Sequence, residues 1–414
     1  MRDLLKQKLS KQDCQAIVLY ISTMLGVLLG VVSSVINTHA LPPNDYGDVR
    51  YVQNIISFIA SLLLFGYFLS GSRLLALSDN ISYNRRVKGI MVVILALSAV
   101  ILMAALAITG LFHVSQPAIK RLLIISLPVS IYPLLLNYVN TTAQGDNQIG
   151  RLSLARFLPM LLYVIVAYAL YRCVEVSSQL MVLLQWGIYS IVLISIVFST
   201  KPKFSNLKPV WNDLRRENKE YGLQLYIGSL VMVATNYLAG ISLGAFNSDN
   251  VEVGYYTLAL TVTSPLSTLP AIIGTTYFKK FATLPSIPNS VIKYTTFITL
   301  LSCISFILLI KPVVIFLYTE EYAPVGTYAS LLSVGFCIHG IGDMINRYLG
   351  SHGQGKAIRN CSVFNGVIKI IGYTILVYIF NTKGAIATTI ICDLIYLISL
   401  IYYYRMFISS KVSL

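Results

Sequence analysis

The sequence predicts an all-α polytopic membrane protein. About twelve transmembrane helices are expected, in two six-helix lobes related by a pseudo-two-fold axis along the membrane normal. Three observations predict this. Of 414 residues, 56% are hydrophobic and 11% charged, with a mean hydropathy of +0.73, where a soluble domain carries about 25% charged residues. Apolar runs long enough to cross a hydrocarbon core of roughly 30 Å recur along the whole chain. Landmarks of the first half return in the second at an offset near 207.

The spans are expected near 15–37, 49–71, 89–112, 122–143, 152–171, 180–199, 222–246, 256–277, 294–317, 327–349, 362–380 and 384–404. The first follows Arg2, Lys6, Lys8 and Lys11. It exceeds the about 7–15 apolar residues of a cleaved signal peptide, so it reads as a retained span. Prolines inside spans four (Pro128, Pro133), five (Pro159) and eight (Pro265, Pro270) are expected to kink them.

If both termini are cytoplasmic, the cytoplasmic segments hold 23 Lys and Arg and the opposite loops 5, with three more embedded, of 31 in all. That asymmetry orients the chain by the positive-inside rule. The net charge of +15 is therefore a topology signal facing anionic headgroups, not a nucleic-acid surface. The outward loops are too short to form a domain.

A basic linker, residues 201–221, separates an N-terminal lobe (1–200) from a C-terminal lobe (222–414). Leu19-Tyr20-Ile21 matches Leu225-Tyr226-Ile227, and Gly47 matches Gly254, each with an acid two residues before it (Asp45, Glu252). Pro117 matches Pro324, and Gln144-Gly145 matches Gln354-Gly355. Six spans between copies leave both halves in one orientation, as in transporters that rock two bundles about a midplane cavity.

Charges inside a span cost roughly 2.5–3.5 kcal/mol each on insertion scales, so each marks a functional candidate. The set is Arg50, Asp343, Arg347, Lys369 and Asp393. Asp343 and Arg347 stand four apart and can pair on one helix face. Asp393 reads as isolated, either an ion site or hydrogen-bonded to a neighbour. Lys369 stands between Asn365 and Tyr373 on a polar stripe, and Lys369 and Arg50 are both able to snorkel to headgroups. Asn137, Asn140, Thr141 and Gln144 form one polar face of span four, and Arg347, Gly350, Ser351 and Gln354 repeat its spacing in span ten. Both faces are expected to line a cytoplasm-facing cavity, since lipid would disfavour them. The six cysteines show no metal spacing and the four histidines no motif, so neither a metal site, a cofactor nor a catalytic residue is expected, and the chain reads as no enzyme.

The twelve spans, "NDYGDVRYV" at span two, "LYTEEYAPVGTYASLLSV" opening span ten and Gln-Gly closing spans four and ten together resemble the polysaccharide flippases. These belong to the multidrug/oligosaccharidyl-lipid/polysaccharide exporter superfamily, and the likeness is nearest to the O-antigen flippases. It covers essentially the whole chain. It implies a multi-pass protein of the bacterial inner membrane with both termini cytoplasmic, working by alternating access of its lobes. The implied partner is an undecaprenyl-diphosphate-linked oligosaccharide, with membrane lipid around it and a polysaccharide polymerase and chain-length proteins as further candidates. The family carries no strict catalytic motif. On the physical argument, Arg50, Arg347, Lys369, Asn137, Asn140, Thr141, Gln144, Ser351, Gln354 and Asn365 are the candidates for diphosphate or sugar binding. Asp343 and Asp393 are the ion-coupling candidates. A multidrug or small-molecule cation antiporter is the alternative, disfavoured by the lack of a buried acid in the first six spans. A membrane glycosyltransferase or polymerase is disfavoured by the short outward loops.

Overall fold

The computed structural model describes residues 11–113 and 116–412, so Arg2, Lys6 and Lys8 lie outside the described residues. The described residues hold fifteen α-helices, a few short helical turns and no strand. In chain order the helices are α1 (Lys11–Ala40), α2 (Pro43–Leu62), α3 (Tyr67–Leu77), α4 (Ile81–Phe112), α5 (Pro117–Ile125) and α6 (Tyr132–Gly145). There follow α7 (Ile149–Cys173), α8 (Ser178–Ser199), α9 (Leu207–Glu217), α10 (Leu223–Phe246) and α11 (Val251–Thr263). The last four are α12 (Pro265–Phe281), α13 (Asn289–Leu317), α14 (Ala323–Ser351) and α15 (Gly355–Val412).

Eight helical stretches are long and apolar enough to cross a membrane, or up to ten with the bent pairs α2/α3 and α5/α6 each taken as one span. α15 is 58 residues long and turns at Asn381 (φ 52°, ψ −135°), so it supplies two crossings at 1.5 Å rise per residue. α10 is another apolar helix of 24 residues, so the described helices approach the expected twelve crossings. The protein is an all-α polytopic membrane protein.

The chain divides into two compact units. Unit 1 is Met1–Ala40 with Ile56–Ile227; unit 2 is Leu41–Ile55 with Gly228–Leu414. The outer part of α2 thus packs within unit 2, and the linker helix α9 within unit 1.

In unit 1 the second span is not continuous. α2 and α3 meet at 60°, where Gly66 takes the left-handed conformation (φ 77°) that only glycine adopts freely. Such a break frees backbone carbonyls that the hydrocarbon core cannot hydrate. Side chains take them up: Tyr226 Oη donates to Leu62 O (2.8 Å), Ser98 Oγ to Leu63 O (3.3 Å) and Asn218 Nδ2 to Phe65 O (3.1 Å). Asn218 Oδ1 also accepts from Ser70 Oγ (3.0 Å), so the turn after α9 is tied to the break. The fourth span breaks as well, by 48° between α5 and α6, at Leu127–Val129 around Pro128.

In unit 2, α2 and α11 cross at glycines. A Cβ on Gly47 would lie 1.8 Å from Asn250 O, and one on Gly254 would lie 3.1 Å from Pro43 O. Asn250 Nδ2 donates to Asp48 Oδ1 (2.7 Å) across this contact. The acid–Tyr–Gly step, expected ahead of span two, sits inside the first turns of α2. The unit's core gathers Phe281, Met344, Tyr348, Leu349, Tyr396 and Leu400 from α12, α14 and α15, all buried. The two segments of α15 fold back on one another, with Thr388 against Gly372 and Leu376 O against Gly384.

Candidate functional site

The embedded charges of α14 and α15 converge in unit 2. His339 and Asp343 stand one turn apart on α14. Asp393 and Tyr396 stand on the second segment of α15, with Gly335 and Gly342 of α14 directly beneath them. Those glycines bring α15 close enough for side chains to bond across. His339 Nδ1 lies 3.0 Å from Asp393 Oδ1, and its Nε2 lies 3.9 Å from Asp343 Oδ1. The imidazole stacks on the Tyr396 ring, centroids 4.9 Å apart and planes at 17°. Tyr396 Oη donates to Asp343 Oδ1 (3.2 Å) and accepts from Asn346 Nδ2 (2.7 Å). Asp393 is buried and Asp343 half-buried.

This chain of groups corrects one expectation and decides between two others. Asp343 does not pair with Arg347: its partners are Tyr396 and His339, and Arg347 makes no ion pair among the described residues. The i,i+4 spacing permits that pair, but tertiary partners on α15 take the carboxylate. Asp393 is bonded to a neighbour, the second of the two readings its sequence position allowed. His339, one of four histidines without a motif, links both acids, and its partner Asp393 stands 54 positions away. No His, Cys, Asp and Glu group among the described residues is suited to a metal ion.

The cations have different settings. Arg347 is exposed, its stem lying over Gly274 of α12, where a Cβ would come within 3.1 Å of Arg347 Cγ. Lys369, half-buried on the first segment of α15, stands where its charge acts on His339 and Cys392. Asn365, one turn before it, is buried with Oδ1 lacking a partner, while Tyr373, one turn after, bonds Thr389 Oγ1 at 3.1 Å. Ser351 Oγ donates to Tyr348 O at 2.7 Å, and Gln354 follows in the turn after α14, half-buried. Arg50 is held by its own helix. Its guanidinium lies 4.9 Å from the Tyr46 ring centroid and donates to Gln53 Oε1 at 3.0 Å.

In unit 1, α6 carries Asn137, Asn140 and Thr141 half-buried and Gln144 exposed. Thr141 Oγ1 donates back to Asn137 O (2.8 Å), and Asn140 Oδ1 has no partner. Arg156 of α7 is a further cation, outside the set of embedded charges expected from sequence. It lies half-buried within α7 and donates to Thr23 Oγ1 of α1 at 2.9 Å. Its position one turn past Leu152, where the apolar run begins, is the signal that would have found it.

The family described as "Polysaccharide biosynthesis protein" matches residues 15–281. The chain belongs to this family. The match takes in the polysaccharide biosynthesis protein's α6 stripe, Arg50 and Arg156, and ends at the last residue of α12, ahead of the His339 network. No curated protein matches the chain in sequence. Among solved structures it is similar to "Lipid II flippase MurJ, inward closed conformation", with 16% identity and a TM-score of 0.71, over 94% of this chain and 87% of that one. It is also similar to an inward-facing multidrug resistance MATE family transporter of the MOP superfamily, with 17% identity and a TM-score of 0.65, over 96% and 98%. A MOP superfamily transporter from Pyrococcus furiosus aligns at 15% identity, with a TM-score of 0.62, over 96% of each chain. These likenesses show that the chain shares the fold of these transporters.

Proposed function

We propose that the protein is a flippase for an undecaprenyl-diphosphate-linked oligosaccharide, an O-antigen repeat unit, in the bacterial inner membrane with both termini cytoplasmic. The observation that carries this reading is the setting of Arg347. Its nearby acid is committed to Tyr396 and His339, which leaves an exposed guanidinium on a membrane helix with no ion pair among the described residues. A planar guanidinium binds phosphate oxygens bidentately, and an anionic diphosphate would offset the cost of holding it in the membrane. Lys369 and Arg50 are the further candidates for that diphosphate. Asn137, Asn140, Thr141, Gln144, Ser351, Gln354 and Asn365 are the candidates for the sugar. The family match supports a role in polysaccharide assembly, and likeness to a lipid II flippase supports flipping as the reaction. We assign ion coupling to Asp343 and Asp393 through His339.

The test replaces Arg347 and Lys369 by Ala, singly and together, in cells where the native copy is deleted. Surface polysaccharide is expected to fall at least tenfold, about the effect of losing one charge-assisted contact, with membrane protein levels unchanged. Lipid-linked repeat units should accumulate inside. Full complementation by the double variant would sink the diphosphate assignment.

A further inference from the structure

A second charged site lies in unit 1, and none of the candidate binding or coupling residues assigned above lines it. A cavity of about 370 Å³ opens between the start of α4, the α6–α7 turn and the end of α8. Its volume falls within the roughly 300–1,000 Å³ of small-molecule sites. Its wall carries four cations, Arg85, Lys88, Arg151 and Lys201, against one acid, Asp146.

The charges are not mutually neutralised. Lys88, nearly buried, pairs with Asp146, which also accepts from Gln148. Arg151 donates to Gln148 and, at 3.0 Å, to Ser199 O. Arg85 and Lys201 have no side-chain partner among the described residues, and both are exposed to the cavity mouth. The main chain holds them together: Lys203 N donates to Arg85 O at 2.9 Å, and Gly89 admits Lys203 O so closely that a Cβ there would lie 2.2 Å from it.

A second observation points to a ligand. Asn84 lines the same cavity and is 8% exposed. Its Nδ2 is committed to Ser78 O (2.8 Å), while its Oδ1 is buried with no partner. A buried acceptor left unmet is costly, and a ligand hydroxyl would meet it. The cavity therefore asks for an anion flanked by a hydroxyl donor.

Its position selects the source. Ile81, 70% exposed, forms part of the wall, and Phe198, 64% exposed, directly precedes Ser199. Leu154, also exposed, stands three residues past Arg151 on α7. Exposed apolar residues beside a basic cavity mark the level at which a phospholipid places its phosphate above its acyl chains. The feature belongs to one unit only: the first two turns of α4 hold Arg85, Arg86 and Lys88, whereas those of α13 hold Lys293 alone.

We propose that this cavity is a phosphate-binding site for the headgroup of an anionic glycerophospholipid of the phosphatidylglycerol type. Arg85 and Lys201 bind the phosphodiester, and Asn84 accepts from a glycerol hydroxyl. Such a lipid would be a bound structural or regulatory ligand, separate from any transported cargo.

Native mass spectrometry of the purified full chain tests this, with phosphatidylglycerol and phosphatidylcholine of equal acyl length added in turn. Phosphatidylglycerol should bind at least about tenfold more tightly, the scale expected for two surface cations. Arg85→Gln with Lys201→Gln should abolish that preference and leave phosphatidylcholine binding unchanged. Both side chains are exposed and unpaired, so the variant should fold; a melting temperature equal to wild type checks this, and Lys201→Glu provides a second variant of the same expected direction. Equal binding of the two lipids, or a preference that survives both variants, would overturn the site. Displacement of phosphatidylglycerol by inorganic phosphate at equal concentration would overturn the lipid assignment in favour of a free anion. No transport is measured, so failure here is independent of the proposed cargo.

Discussion

His339 on α14 and Asp393 on α15 share a contact of 3.0 Å between Nδ1 and Oδ1. The pair joins two helices through one side chain from each. Groups in direct contact give non-additive energies of about 0.5–3 kcal/mol. In a double-mutant cycle, His339→Asn and Asp393→Asn should each lower thermal stability in detergent. The double variant should lose less than the sum, and strict additivity would show that the two do not interact.

The same pair predicts a pH response. The groups facing His339 are Asp393 and Tyr396 from the second segment of α15, Lys369 from its first segment, and Asp343 from its own helix. Tyr256 of α11 and Tyr373 stand near Asp393, both bonded to Thr389. An unperturbed histidine is the side chain that changes charge between about pH 5 and 8, so that interval is the one to scan. Surface polysaccharide output across that range should vary with pH in wild type and flatten in His339→Asn. An unchanged profile in the variant would remove His339 from the coupling assignment.

Gly47 of α2 has no room for a side chain, since a Cβ would meet Asn250 O at 1.8 Å. Gly47→Ala should cost at least about 1–3 kcal/mol, the range for forced overpacking, and lower the yield of folded protein. Gly110 of α4 has nothing within 4 Å of an added Cβ. Gly110→Ala should be neutral or stabilising by up to about 1 kcal/mol. Equal melting temperatures for the two variants would refute the close crossing.

Asn381 holds a backbone conformation (φ 52°, ψ −135°) suited to the first central residue of a type II′ turn, where glycine is preferred. Asn381→Gly should keep or raise the melting temperature. Asn381→Val should lower stability by about 1–3 kcal/mol, the usual cost of a strained backbone region. The reverse order would argue against the turn.

The polar stripe of α6 and its counterpart in α14 can be probed chemically. Cys173 is exposed, whereas Cys303, Cys337, Cys361 and Cys392 are buried, so Cys173→Ser gives a quieter background. Cysteines at Asn140 and Ser351 should then react faster with a small water-soluble maleimide than one at Leu308, an exposed apolar position of α13. Equal rates would place both stripes out of contact with water.

Much of the architecture was legible because membrane solvation imposes it: hydrocarbon requires long apolar helices, and those stand out in a single sequence. Pro128 and Pro265 sit at real interruptions, after Leu127 and at the start of α12. The break at Gly66 was not legible, since the run 49–71 reads as one apolar span. What makes that break tolerable is a set of donors from Ser98, Asn218 and Tyr226, distant in sequence. The candidate site follows the same division. Asp343 and Asp393 stood out as costly charges in apolar runs. His339 did not, because an uncharged imidazole leaves little mark on hydropathy and its partner belongs to another helix. Asp343 and Arg347 misled for the opposite reason: spacing along one helix reports which groups are able to meet, not which tertiary partner outcompetes them.

The crossing of α2 and α11 has a further consequence. Gly47 meets Asn250 and Gly254 meets Pro43. Adding the repeat offset of 207 turns Gly47 into Gly254 and Pro43 into Asn250, so each contact becomes the other. A contact set that exchanges with itself in this way is isologous, the signature of a two-fold interface between identical subunits. Within one polypeptide the crossing thus has the self-complementary form of such an interface, confined to the segments around Gly47 and Gly254. Arg50 departs from this exchange, since the residue at the same offset is Thr257, so the crossing carries a cation on one of its two sides only.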